Sequence, residues 1–142
     1  MRLESLKKSL INSDIDAYLV TDTRNVYYFT GFRDISEAAL CLVITPDDEP
    51  TLLVSQLSLS AAKTNANNCS VEGVNFGEKI INKLINLIKN LGAKTIHFDT
   101  LSSQIYLEIV KKIDAIFYPN SEIIMALRVH QSRNARQEEA AY

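Results

Sequence analysis

Apolar residues recur along the chain at two spacings, which together predict an alternation of helices and strands. Leu3, Leu6 and Leu10 are spaced as on one face of an amphipathic helix that opens the chain. Short, apolar, β-favouring runs predict strands at residues 16–21, 38–45, 51–54, 70–74, 95–98 and 115–118. Helical patterns separate these runs at residues 26–29, 57–62, 77–91, 102–112 and from residue 119 onwards.

The order of these elements predicts an α/β fold. The turn at residues 46–50, which carries two prolines and two aspartates, joins two predicted strands into a β-hairpin. A hairpin makes its strands antiparallel, whereas strands separated by helices usually lie parallel. We therefore expect a mixed β-sheet flanked by helices.

Local signals place the ends of three helices. Polar side chains at residues 22–25 can cap a short helix that Gly31 ends, because glycine accepts the left-handed conformation found at helix ends. Ser102 is expected to cap the helix that runs to residue 112, and Gly92 to end the helix of residues 77–91.

Composition narrows the class of protein. The chain has 142 residues, of which 46% are hydrophobic, and a net charge of −2, which suit one compact domain. Fifteen basic against seventeen acidic residues give no electrostatic reason to expect nucleic acid as a partner. No apolar run approaches the roughly 20 residues of a membrane span, and charges near Met1 do not suit a signal peptide. We therefore expect a cytoplasmic location.

Residue chemistry predicts no catalytic group and no metal site. His97 lies two residues before Asp99 and could form an acid–base dyad with it, but a strand-end histidine more often satisfies a local hydrogen bond. His130 is expected to face solvent. Cys41 has the surroundings of a small buried hydrophobe, and a disulfide with Cys69 stays open.

Residues 25–32, with the sequence NVYYFTGF, hold four aromatic side chains in eight positions. Periodicity alone favours a place in the core. However, the charged residues Arg33, Asp34 and Glu37 follow at once on a predicted loop, and loops on a rigid scaffold often carry binding residues.

The segments 14–21 and 25–32 strongly resemble the amino-terminal domain of the creatinase, prolidase and aminopeptidase P family. The order of the later strands and helices, up to Leu127-Arg128, agrees as well, so the resemblance covers nearly the whole chain. The residues that carry the family motif are Asn25, Tyr27, Tyr28, Thr30, Gly31 and Phe32.

The resemblance implies a domain organisation and an activity. It implies a ribonuclease-H-like domain over residues 1–128 and, over residues 129–142, the start of a helix leading to a catalytic domain. Full-length relatives are metallopeptidases that cleave Xaa-Pro bonds, or creatinases, and hold two divalent metals, commonly manganese or cobalt, in that second domain. Gln131 and Asn134-Ala135 depart from the family pattern, which weakens the expectation of a typical inter-domain helix.

The resemblance also implies partners. Family members are generally homodimers, and the loop after the motif can reach the partner's active site. Here that loop offers Phe32, Arg33, Asp34 and Glu37. Arg33 would suit a carboxylate of a proline-containing peptide, and Asp34 or Glu37 its amine, while a purely solvated loop stays an alternative.

Three functional hypotheses result. The first is the non-catalytic amino-terminal domain of an Xaa-Pro dipeptidase or aminopeptidase, which shapes the substrate pocket and mediates dimerisation. The second is a stand-alone binding or assembly module without peptidase activity. The third, which has the least support, is a small α/β enzyme that uses His97 and Asp99.

Overall fold

The computed structural model describes residues 2–34, 40–75 and 77–129. In chain order the elements are α1 (Arg2–Asn12), β1 (Ala17–Val20), α2 (Thr23–Thr30), β2 (Cys41–Ile44), β3 (Thr51–Ser55), a 3-10 turn (Gln56–Ser58), α3 (Leu59–Asn65), β4 (Ser70–Val74), α4 (Ile80–Leu91), β5 (Thr95–Phe98), α5 (Ser103–Lys112), β6 (Ile116–Pro119) and α6 (122–129).

The strands form a six-stranded mixed sheet in the order β4-β3-β2-β1-β5-β6. Strand β2 is antiparallel to both of its neighbours, β1 and β3, and the other neighbouring pairs are parallel. At the centre, Leu19 of β1 lies opposite Val43 of β2 and Phe98 of β5. The predicted hairpin and mixed α/β sheet are confirmed.

Helices cover both faces of the sheet because its central strands are apolar on both sides. Tyr18 and Val20 point into a core built with α1, α2, α3 and α6. Ala17 and Leu19, which alternate with them, point into a second core built with α4 and α5. Every residue of β1 and β2 is buried, as expected for strands covered on both faces.

The topology brings several loops to one edge of the sheet. All strands except β2 run in the same direction, so the segments after β1, β3, β5 and β6 lie at a common edge. Helix α2, which follows β1, packs on one face, whereas α5, which follows β5, packs on the other. The neighbouring strands β1 and β5 therefore form a topological switch point, the place where open α/β sheets usually form a crevice.

Several predicted boundaries differ from the structure: the helix predicted at 26–29 spans Thr23–Thr30, and the one predicted at 57–62 is the 3-10 turn followed by Leu59–Asn65. Two further differences have a clear physical cause. Helix α4 begins at Ile80 and not at Gly77, because Gly77 has a φ of +83° that a right-handed helix cannot accommodate. Strand β6 runs to Pro119, one residue further than predicted, which an edge strand tolerates because its free side needs no amide donor. The start of the predicted strand 38–45 and the segment 131–142 lie outside the described residues.

Within the described parts of the chain, no helix has both the length and the apolar character that crossing a membrane requires.

Gly31 is expected to contribute to stability through its backbone. It ends α2 with a φ of +75°, and its amide donates to the Tyr27 carbonyl at 2.8 Å. An added Cβ would lie 3.5 Å from Nδ2 of Asn67, an ordinary contact, so the conformation and not crowding decides the effect. Gly31→Ala should lower the free energy of unfolding by about 1–2 kcal/mol, measured by urea denaturation. Asparagine tolerates this conformation better, so an equal loss in Gly31→Asn would contradict the explanation.

Candidate functional site

The carboxylate of Asp99 lies at the switch point between β1 and β5 and is only 8% exposed. One oxygen accepts from the amides of Thr21, at 3.0 Å, and Thr100, at 2.6 Å. The other accepts from the amide of Asp22 and from Nδ2 of Asn25, both at 3.1 Å. Since both oxygens are occupied, this carboxylate joins the ends of two strands and the start of α2, and it is not placed to act as a base.

Helix α2 begins with a charged N-cap. The Asp22 carboxylate accepts from the Arg24 amide at 2.9 Å and forms an ion pair with the Arg24 guanidinium at 3.3 Å. Partial burial works to raise the pKa of Asp22, but the hydrogen bonds from Arg24 and from the Asn25 backbone outweigh it, and the pKa is lowered. The capping predicted from residues 22–25 is confirmed.

Asn25, the first residue of the motif, bridges two distant parts of the chain. Its side chain is 9% exposed. Nδ2 donates to Asp99, and Oδ1 accepts from Nη1 of Arg128 at 3.2 Å. The motif asparagine thus connects the switch point to the terminal helix α6.

Tyr28 of the motif lies near two guanidinium groups. The Cζ atoms of Arg2 and Arg128 are 4.4 and 5.6 Å from its ring centroid. Nη1 of Arg2 also donates to the Tyr28 carbonyl at 2.9 Å. Burial raises the pKa of the Tyr28 hydroxyl, and the two positive charges oppose that rise.

Thr30 and Phe32 complete the turn that follows α2. The Thr30 hydroxyl donates to the Val26 carbonyl at 2.7 Å and accepts from the Phe32 amide at 3.1 Å. The Phe32 side chain is 3% exposed and lies in the core beneath α2. A substrate contact by the Phe32 ring, as the resemblance implies, would need this packing to open.

The two described charged residues of the loop after Phe32 differ in burial, since Arg33 is exposed and Asp34 is half-buried. The Arg33 guanidinium lies 4.7 Å from the ring centroid of Tyr27, which is itself 47% exposed. The Asp34 carboxylate accepts from the Ser58 hydroxyl at 3.0 Å, which ties the loop to the 3-10 turn after β3. Glu37 lies outside the described residues.

A shallow cavity of about 480 Å³ lies beside the motif helix. It is lined by the first turn of α1, the C-terminal half of α2 and the pair Asn67 and Asn68. Of the described loop residues Phe32, Arg33 and Asp34, none lines the cavity, but Tyr27, over whose ring the Arg33 guanidinium lies, does. The loop therefore adjoins the cavity at Tyr27.

His97 does not form a dyad with Asp99. Its Nδ1 atom lies 3.1 Å from Nδ2 of Asn120, whose Oδ1 accepts from the Ile123 amide at 3.4 Å. The amide therefore donates to the ring, and Nδ1 is the acceptor of a neutral imidazole. His97 therefore makes the local hydrogen bond expected of a histidine at a strand end. Asp99 instead accepts from Thr21, Asp22, Asn25 and Thr100.

Both cysteines are free thiols. Cys41 is fully buried, as its apolar surroundings predict, and burial raises the pKa of its thiol. Partial burial raises the pKa of Cys69 to about 11. Within residues 2–34, 40–75 and 77–129, no three His, Cys, Asp or Glu side chains group as metal ligands would.

Sequence reasoning missed the role of three residues at this site. The sequence pairs Asp99 only with His97, marks Arg128 only as a domain boundary, and gives no signal for Arg2. Each interacts with the motif across a sequence separation of 26 to 103 residues, which no local pattern encodes. The available signal was that a buried-strand carboxylate needs donors, and that the motif contains an asparagine.

Residues 2–130 match the family model described as the creatinase/prolidase N-terminal domain. An uncharacterized peptidase of Staphylococcus saprophyticus is 31% identical over 84 residues, which are 58% of this chain and 24% of that protein. A counterpart in Staphylococcus epidermidis is 32% identical over 63 residues, 44% of this chain and 18% of that protein. The matched region thus spans a quarter or less of these curated relatives.

Solved structures share the fold. A proline dipeptidase of Streptococcus pneumoniae superposes with a TM-score of 0.78 at 24% identity, covering 89% of this chain and 96% of that one. The N-terminal domain of an Xaa-Pro dipeptidase from Lactobacillus brevis gives 0.78 at 17% identity, with 89% and 99% covered. For the Xaa-Pro dipeptidase of Bacillus anthracis the score is 0.76 at 23% identity, but only 35% of that chain is covered.

Replacing Asp99 by asparagine should destabilise the protein. An asparagine amide group would face donors where the carboxylate now accepts, leaving buried groups unsatisfied at a cost of about 3 kcal/mol in unfolding free energy. Urea denaturation measures the loss. The control is Asp114→Asn on the exposed residue after α5; a similar loss there would show that charge removal alone is responsible.

Stability should fall as the pH is lowered through the range in which His97 titrates. Burial lowers the pKa of His97 from its usual 6.5, so the unfolded chain binds the proton more readily than the folded chain. The stabilisation is complete above pH 6.5 and is lost as the pH falls through the folded-state pKa. Urea midpoints at about pH 7.5 and pH 5 should differ less in His97→Gln than in the wild type. An unchanged difference would assign the effect to other groups.

Proposed function

The chain belongs to the creatinase/prolidase N-terminal domain family, and from that premise we propose that it is the non-catalytic amino-terminal domain of an Xaa-Pro dipeptidase or aminopeptidase. In this proposal the complete protein hydrolyses the bond before proline, and this domain supplies part of the wall of the substrate pocket. The activity is proposed for the whole protein, because the matches cover only 18–24% of the curated relatives.

The chemistry would come from the part of the protein that lies beyond these residues. We propose a centre of two divalent ions there, manganese or cobalt, which would supply the hydrolytic chemistry. This chain's residues would then act on the substrate by binding and orienting it.

The observation that carries the pocket-wall role is the arrangement of Arg33 over Tyr27. A guanidinium 4.7 Å from an aromatic centroid is partly ordered before any ligand arrives, which lowers the entropy cost of binding. A planar guanidinium can hold a carboxylate through two parallel hydrogen bonds. Asp34, on the same loop, would supply the opposite charge for a substrate amine if its hydrogen bond with Ser58 opened.

We further propose that the protein is a cytoplasmic homodimer in which this loop reaches the pocket of the partner subunit. The exposed Tyr27–Arg33 pair supports an interface role, because aromatic and arginine side chains are enriched at protein interfaces. The free thiols of Cys41 and Cys69 suit a reducing compartment. Sedimentation equilibrium of this chain tests for the dimer. A strict monomer at high concentration would place the dimer contacts outside this domain.

Arg33→Ala in the complete protein should raise KM for an Xaa-Pro dipeptide by about tenfold, because a charge-assisted pair with the substrate carboxylate is lost, and should change kcat less. The control is Arg24→Ala, since Arg24 is exposed and pairs only locally with Asp22. Steady-state kinetics with Mn²⁺ measure both constants.

Two outcomes would contradict the proposal. An unchanged KM in Arg33→Ala would remove Arg33 from the substrate pocket. Turnover of the dipeptide by the 142-residue chain alone, above a metal-free blank, would contradict its non-catalytic role. A reading frame that ends at Tyr142 would favour the stand-alone binding module.

A further inference from the structure

Helix α6 is the last described element, and its position depends on contacts at three points. At its start, Oδ1 of Asn120 accepts from the Ile123 amide, and the Asn120 carbonyl accepts from the Tyr18 hydroxyl at 2.7 Å. In its middle, Ile124 is 1% exposed in the core shared with α1 and α2. At its end, Leu127 is partly buried against the same core, and Arg128 contacts α2.

The contact of Arg128 with α2 has two parts. Nη1 donates to Oδ1 of Asn25 at 3.2 Å, and the guanidinium lies 5.6 Å from the ring centroid of Tyr28. A guanidinium can do both at once, because it is planar, has several donors and stacks on aromatic rings. One side chain therefore fixes both the distance and the rotation of the end of α6 relative to α2.

Asn25 is itself held rigidly. Its Nδ2 donates to Asp99, whose other donors are the backbone amides of Thr21, Asp22 and Thr100 and the Thr21 hydroxyl. Two consecutive hydrogen bonds thus lead from the switch point of the sheet to the end of α6. In the side-chain amide of Asn25, Nδ2 donates to Asp99 and Oδ1 accepts from Arg128. The two neighbours together therefore determine the orientation of this amide.

We propose that Arg128 is a positioning residue: through Asn25 it sets the direction in which the chain leaves this domain, and with it the orientation of the following domain toward the Arg33 loop. This inference rests on the proposed function, because it requires a following domain that binds the same substrate. Without Arg128, the last described turn of α6 keeps the packing of the partly buried Leu127 but loses its polar and aromatic contacts with α2, so that it can shift relative to α2.

We call the contacts of Arg128 with Asn25 and Tyr28 the clamp. The first experiment uses this chain, because it tests the clamp independently of any peptidase activity. Hydrogen exchange of the amides of residues 126–129 should be about tenfold faster in Arg128→Ala, since the bond involves a charged donor. Arg128→Lys should restore part of the protection, because lysine keeps a donor but not the planar stack. Met125→Ala, which changes a 60% exposed side chain on the same helix, is the control.

A double-mutant cycle tests the route through Asn25. Asn25→Ala and Arg128→Ala should accelerate exchange in the last turn of α6 less in combination than the product of their separate effects. Multiplicative effects, or equal acceleration in Met125→Ala, would overturn the clamp.

The second experiment uses the complete protein and an Xaa-Pro dipeptide with Mn²⁺. Arg128→Ala should raise KM about tenfold with bound metal unchanged and a smaller change in kcat, because the pocket wall would move while the part of the protein proposed to supply the hydrolytic chemistry would stay intact. Arg128→Lys should recover part of the KM, and Met125→Ala should behave as the wild type.

The two proposals fail in different ways. A wild-type protein that does not hydrolyse the dipeptide contradicts the proposed function, and the exchange data alone then decide on the clamp. If the wild type is active, the positioning role is overturned when Arg128→Ala leaves KM unchanged. It is also overturned when kcat and metal content fall together in that variant.

Discussion

The buried carboxylate of Asp99 is the interaction on which the arrangement around α2 depends. A charge with 8% exposure is costly unless several donors surround it, and here three backbone amides and one side-chain amide do so. Those donors come from the ends of two parallel strands and the start of a helix. The need to solvate one charge therefore fixes the geometry of the switch point.

The arrangement around Asp99 explains why residues 25–32 carry these side chains. Asn25 donates a hydrogen bond to Asp99, and the Tyr28 ring contacts the guanidinium groups of Arg2 and Arg128. Thr30 and Gly31 turn the chain out of the helix without an unsatisfied amide. The motif largely holds distant segments against one short helix, and its exposed side chain is that of Tyr27.

Patterns that act over a few residues were sufficient to predict the elements. The hairpin, the mixed sheet, the capping by Asp22 and Ser102 and the ends at Gly31 and Gly92 all arise from neighbouring side chains, and all are confirmed. The contacts of the site were not predicted, because they join residues up to 103 positions apart. Burial also separated neighbours that look alike in sequence: Phe32 lies in the core, whereas Arg33, next to it, lies at the surface. The roles of Arg33, Asp34 and Glu37 toward a substrate stay predictions.

Helix α2 has eight residues, too few to be stable on its own in water, so it exists because of its cap, its buried Val26 and Phe29, and the Asn25 bridge. The loop that carries Arg33 begins where this helix ends, and α6 is fastened to its side. The positions of the Arg33 loop and of α6, which both bear on the proposed function, therefore depend on helix α2. A small displacement of α2 would therefore move the candidate substrate loop and the last described turn of α6 together.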